Sequence, residues 1–174
     1  MKVNKKYIPL LFGFLPAAVI LAFLLSKLYT AETGQEILLK TAPVDPRDLF
    51  RGDYINLRYD ISTVKLGEVP GDDNFTSNDA IYAALSKKGG FWQVDSVSRS
   101  KPGLSSDQVC MKGKVASAFN DIVRVEWGIE SYFVPEGEGR PIEVERNISV
   151  RVSVDNLCRA IVKGLLVNGE ELTW

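Results

Sequence analysis

The chain has 174 residues, with 21 lysines and arginines against 22 acids and no histidine. Charge this balanced and interspersed lacks the sustained basic surface of a nucleic-acid binder, so no nucleic-acid partner is expected. Without histidine the usual general base near neutral pH and the commonest zinc ligand are both missing; metallohydrolase and Ser-His-Asp chemistry are set aside, and no metal or cofactor is expected.

From Tyr7 to Leu25 the sequence is apolar and uncharged, and at about 1.5 Å per residue it nearly crosses a hydrocarbon core of about 30 Å. Pro9 falls near the start, where a missing N–H costs little, and Pro16 is predicted to kink the helix in mid-membrane. Lys2, Lys5 and Lys6 crowd the N-terminal flank, whereas Lys27 and Lys40 are diluted by Glu32 and Glu36. The positive-inside rule then leaves the N-terminus in the cytoplasm and the remainder outside. A cleaved signal peptide is the competing reading, but the exit from Ser26 to Ala31 lacks a clean small-x-small cleavage site. The expected organisation is a cytoplasmic N-terminus and anchor over 1–28, a polar linker over 29–35 and an extracytoplasmic β domain over 36–174.

Beyond the linker the chain reads as strands. Ile37-Leu38-Leu39 is a short apolar run stopped by Pro43 and Pro46, and Tyr54, Leu57 and Tyr59 show partial alternation. Further runs cover 80–85, 91–97, 109–115, 122–127, 129–134, 148–154 and 160–167. Gly89-Gly90 and Asn168-Gly169 are hairpin signals, the second folding 170–174 back on its predecessor. The polar stretch Gly67 to Asp79 reads as an exposed loop, the least ordered part of the domain. Over 135–146, Pro141 suits a first helical position while Ile142, Val144, Ile148 and Val150 alternate as a strand, and both readings stand. The expected fold is mainly β, a compact antiparallel barrel or sandwich with one or two short helices. Cys110 and Cys158 fit two small buried residues on strands, with a disulfide in an oxidising compartment as the alternative.

Residues 43–59 are dense in turn and charged residues: Asp45-Pro46-Arg47-Asp48, Arg51, then Gly52-Asp53-Tyr54 with Leu57 and Tyr59 at fixed spacing. This segment resembles the signature of the GDYXXLXY family of bacterial membrane-anchored proteins. A second block over 128–140, carrying Tyr132, Glu136, Gly137, Glu138, Gly139 and Arg140, is similar to another part of that family, as is 160–169. The resemblance implies an N-terminal anchor, an extracytoplasmic domain and the company of a multi-pass membrane protein, and it brings no catalytic residues.

Physically, Pro46 pushes Asp45 toward extended backbone, Asp48 can cap a turn, and Gly52 supplies a positive φ or a close approach. The bland reading is a turn that locks a strand, with Asp53 paired to an arginine. The sharper one is a polar cluster of Asp45, Arg47, Arg51 and Asp53 met by Glu136, Glu138 and Arg140, able to grip a carboxylate or phosphate.

Three functions follow. The leading expectation is a non-catalytic accessory or assembly subunit that sits in the lipid bilayer and docks on a multi-pass integral membrane protein. Its anchors would come from Trp92, Trp127, Tyr132 or Trp174, although each such residue is more often core than interface. The second is an extracytoplasmic small-ligand or anion-binding module. The third is a hydrolase similar to type I signal peptidase, but Ser26 beside a solvated Lys27 lacks the desolvated lysine that activation requires.

Overall fold

The computed structural model describes residues 8–42, 54–133 and 147–172. One long helix, α1 (Ile8–Thr33), leads into β1 (Gln35–Lys40). Then come β2 (Tyr54–Asn56), a 3-10 turn (Asp60–Ser62), β3 (Thr63–Lys65), β4 (Ala80–Lys88), β5 (Phe91–Ser98), β6 (Gln108–Phe119) and β7 (Ile122–Glu126). The chain closes with β8 (Ser131–Phe133), β9 (Ile148–Val154), β10 (Ala160–Val167) and β11 (Glu170–Glu171). The domain is mainly β, as the alternating pattern predicts.

The strands form two larger antiparallel sheets, in the orders β1-β9-β10-β11 and β3-β7-β6-β4-β5, and a two-stranded sheet of β2 and β8. A bridge between Thr41 and Tyr59 ties the end of β1 to the chain leaving β2, so the sheets wrap into a nearly closed barrel. The alternation is clear in β7, where Val123 and Val125 point inward while Arg124 and Glu126 face out. Inside lie Ile37, Leu39, Tyr59, Ile81, Leu85, Met111, Val150 and Leu165, all close to fully buried. Both glycine hairpins form: Gly89, Gly90, Asn168 and Gly169 all have positive φ, the geometry of the type I′ turn.

Two segments differ from their sequence reading. The stretch 67–79 is an exposed loop, as read, but an ordered one: it is pinned to the barrel, since Phe75 enters the core and the Asp72 side chain accepts the Arg99 amide at 2.8 Å. Gly71, at φ +131°, lies so close to the Val97 backbone that a side chain would not fit. The residues read as a linker are mostly helix: α1 runs through Pro16 to Thr33, and only Gly34 separates it from β1. Polar residues there do not end the helix because the domain supplies partners for its last turn. Thr30 O accepts the Gly34 amide at 3.2 Å and the Ser153 hydroxyl at 2.7 Å, and Ala31 O accepts the Lys163 ammonium at 3.2 Å. A bulge in β10 between Val162 and Gly164 sets Lys163 off the regular ladder, and a cation beside a helix C-terminus opposes the negative end of its dipole. The helix window Phe14–Thr33 is apolar enough to cross a membrane, and only 6% of it is buried against the domain.

Candidate functional site

Two places in the structure gather polar groups in ways that the packing of a barrel does not require: a cleft beside the motif strand, and the joint between helix and domain.

The motif strand pairs with the second block. In the β2–β8 ladder Tyr54 opposes Phe133, Ile55 opposes Tyr132 and Asn56 opposes Ser131, and the Leu57 amide extends the pairing by donating to Glu130 O at 2.6 Å. Alternation turns Leu57 and Tyr59 into the core, 5% and 1% exposed, and leaves Asn56 and Arg58 outside. Tyr59 fastens the two segments together, its hydroxyl donating to Ile129 O at 2.6 Å. Burial, and after it the charge of Glu130, push the Tyr59 phenol far above its ordinary range, so it stays a protonated donor.

Asn56, Arg58, Ser62, Thr63, Arg124, Glu126 and Glu130 line an open cleft of about 520 Å³. Glu130 is committed to structure: its carboxylate accepts the Trp127 amide and, at 2.8 Å, the Gly128 amide. Those bonds close a tight turn in which Gly128 has φ +78°. Ser62 is likewise occupied, accepting the Tyr59 amide at 3.4 Å. Arg58 and Arg124 are both exposed, and neither forms an ion pair among the described residues. Guanidiniums without an ion pair among the described residues are the groups that grip carboxylates and phosphates.

At the joint, the buried carboxylate of Asp155 is the hub. Its Oδ2 accepts the Thr30 hydroxyl at 2.7 Å and Arg159 Nε at 2.7 Å, while Oδ1 accepts the Leu157 and Arg159 amides at 2.9 and 3.0 Å. Burial alone would raise its pKa, but the hydrogen bonds from Arg159, Thr30 and the two amides outweigh burial and hold it below the usual carboxylate range. Arg159 reaches on to the helix, donating to Ser26 Oγ at 2.5 Å. A disulfide between Cys110 at the start of β6 and Cys158 in this turn fixes the turn from the other side. Cys158 is therefore on a turn, at φ +63°, and not on a strand. Ser26 bonds to Arg159, and the Lys27 ammonium lies 5.6 Å from the centre of the Phe23 ring.

Of the residues singled out from sequence, Asp45, Pro46, Arg47, Arg51, Gly52 and Asp53 lie outside the described residues. So do Glu136, Gly137, Glu138, Gly139 and Arg140, and with them the question of a helix over 135–146. Leu57, Tyr59 and Tyr132 do come together through the β2–β8 pairing. Trp92 and Trp127 are core residues, with Trp127 Nε1 donating to Ile61 O at 3.3 Å. The sequence reading missed Arg58, Arg124 and the Thr30–Asp155–Arg159 joint. The outward phase of Arg58 and Arg124 on their strands, and the Asp155-Asn156 turn signal, were the available clues.

A family model described as GDYXXLXY protein matches residues 16–165. No curated protein and no solved structure matches the chain.

Proposed function

Because the chain belongs to the GDYXXLXY family, we propose that it is a single-pass, non-catalytic accessory subunit whose rigidly mounted domain docks on an integral membrane partner. The observation that carries this reading is the joint. Thr30 is 2% exposed and bonded to both Asp155 and Ser153, so the end of the helix is part of the domain's own structure. Cleavage at 26–31 would remove it, which supports a retained anchor over a signal peptide. A partner that grips α1 within the bilayer thereby orients the β2–β8 face, where the described parts of both family blocks pair. The N-terminal lysines and the Cys110–Cys158 bond support a cytoplasmic N-terminus and a domain in an oxidising compartment.

Affinity purification of the full chain from detergent-solubilised membranes tests this. A stoichiometric multi-pass partner is expected, and its recovery should fall when Arg58 and Arg124 are both changed to alanine with the fold intact. A chain recovered alone from mild detergents, with or without cross-linking beforehand, removes the reading.

The two arginines without an ion pair among the described residues favour a second reading, an anion-binding module. In that case phosphate or a dicarboxylate raises the melting temperature of the wild type saturably and leaves the Arg58→Ala/Arg124→Ala variant unmoved. No saturable shift with either anion rejects it.

A further inference from the structure

We propose that the Asp155–Arg159 turn seats the domain on the bilayer surface, with Leu157 entering the lipid interface beside the helix and Lys27 and Lys101 facing lipid phosphates. The inference rests on the reading of α1 as a retained span.

Level comes first. The apolar run ends at Leu25 and the first charge follows at Lys27, so Ser26 and Lys27 stand where hydrocarbon gives way to headgroups. Arg159 touches Ser26 at 2.5 Å, which brings its turn to the same height. Lys101 on the β5–β6 loop joins the turn, donating to Asn156 O at 2.6 Å.

Composition follows. A single exposed leucine on a protein surface is ordinary. Leu157 differs in its setting: it is 56% exposed at the tip of a turn that contacts the membrane helix. Leu104, 41% exposed, stands on the loop that Lys101 fastens to that turn. Asp155 is buried and already matched by Arg159, so the turn itself offers Leu157 and Asn156 with Lys101 fastened beside them, and the exposed acid of that loop, Asp107, lies six residues beyond Lys101. An apolar side chain beside a cation is what interfacial anchors use, with apolar side chains below the phosphates and cations level with them.

Rigidity makes the placement specific. The Leu157 amide is held on Asp155 Oδ1, Cys158 is bonded to Cys110, and the Lys112 amide donates to Cys158 O at 2.8 Å. The turn therefore meets the lipid pre-formed and loses little freedom on seating.

The opposite end of the molecule provides the control. From Cys110, fastened to the turn, β6 runs to Phe119, nine residues and about 30 Å away at roughly 3.3 Å per residue. Phe119 is 77% exposed at the β6–β7 hairpin.

The test uses the full chain in phosphatidylcholine–phosphatidylglycerol vesicles, with single tryptophans introduced as Leu157→Trp, Asn156→Trp or Phe119→Trp. The emission gained over the wild type is read with and without brominated acyl chains. Leu157→Trp should be blue-shifted and lose intensity with brominated lipid, Asn156→Trp should follow more weakly, and Phe119→Trp should stay red and unquenched. If the chain survives an alkaline wash of the vesicles but both turn tryptophans stay unquenched, the span stands and the seat is overturned. Equal quenching at Phe119 and Leu157 also overturns it, because the domain would then lie on its side. Release of the chain by the alkaline wash removes the span and the seat with it.

Discussion

Replacing Asp155 with alanine should cost about 3 kcal/mol and free the helix from the domain. The carboxylate accepts hydrogen bonds from the Thr30 hydroxyl, from the Arg159 guanidinium and from two backbone amides. Losing one member of a buried charged pair costs about 3–5 kcal/mol. Here the lower end applies, because Thr30 retains Ser26 O at 3.2 Å and Arg159 retains Ser26 Oγ and a solvent-facing edge. For a domain near this size the loss lowers the melting temperature by about 10 °C. The assay is thermal unfolding of the full chain in detergent, with limited proteolysis alongside: the variant should become cleavable over 26–35 at temperatures where the barrel still resists. The pH dependence carries a sign. A carboxyl whose pKa is depressed on folding contributes stability above its unfolded value, about 3.9, and that contribution is lost as the pH falls through the folded value. Wild-type stability should therefore drop below about pH 4, and the alanine variant should respond less. A melting temperature within about 3 °C of wild type, with no new cleavage, would show that the carboxylate does not hold the joint.

Tyr59→Phe leaves Ile129 O without its donor in the core, and a loss of about 1–3 kcal/mol is expected in chemical denaturation. In Gly34→Ala the new Cβ would sit 2.6 Å from Thr30 O and closer still to Ser153 Oγ. That variant should resemble Asp155→Ala in proteolysis over 26–35, and wild-type resistance would count against a close-packed joint. Cys110→Ser with Cys158→Ser opens a loop of separation 48, for which chain entropy predicts a loss of about 4 kcal/mol, measured under non-reducing conditions. A C-terminal alkaline phosphatase fusion should be active, and an inactive fusion at a point where a cytoplasmic reporter works would reverse the topology.

The strands were legible wherever alternation ran for five residues or more, as in β7 and β9, and the two hairpins wherever Gly-Gly or Asn-Gly supplied the positive φ. Three-residue β3 and the 3-10 turn before it are too short to carry a period. The end of the helix was misread for a different reason. Polar residues from Ser26 onward have the composition of a spacer, and their helical state depends on Ser153, Asp155 and Lys163, more than a hundred residues away. The loop over 67–79 likewise owes its position to distant partners, with Phe75 in the core, residues 70–72 paired to Val97 and Asn78 bonded to Val115 O. At the cleft, strand phase could place Arg58 and Arg124 outside, but their meeting depends on the order of strands, which no local pattern encodes. β2 of the first block adjoins β8 of the second, while the acids and arginines whose shared composition prompted the idea of one surface feature lie outside the described residues.

The single-residue joint at Gly34 also makes chain length a discrete variable. An α-helix turns by about 100° per residue, and here its last turn is bonded directly to the sheet. One residue added or removed between Leu25 and Gln35 would swing the apolar part of the helix through about a quarter turn relative to the β2–β8 face. Four residues, a little over one full turn, would nearly restore the phase while lifting the barrel by about 6 Å. Homologous chains should therefore tolerate substitutions in this stretch far more readily than insertions or deletions, and any length change that survives should come in steps close to a helical repeat.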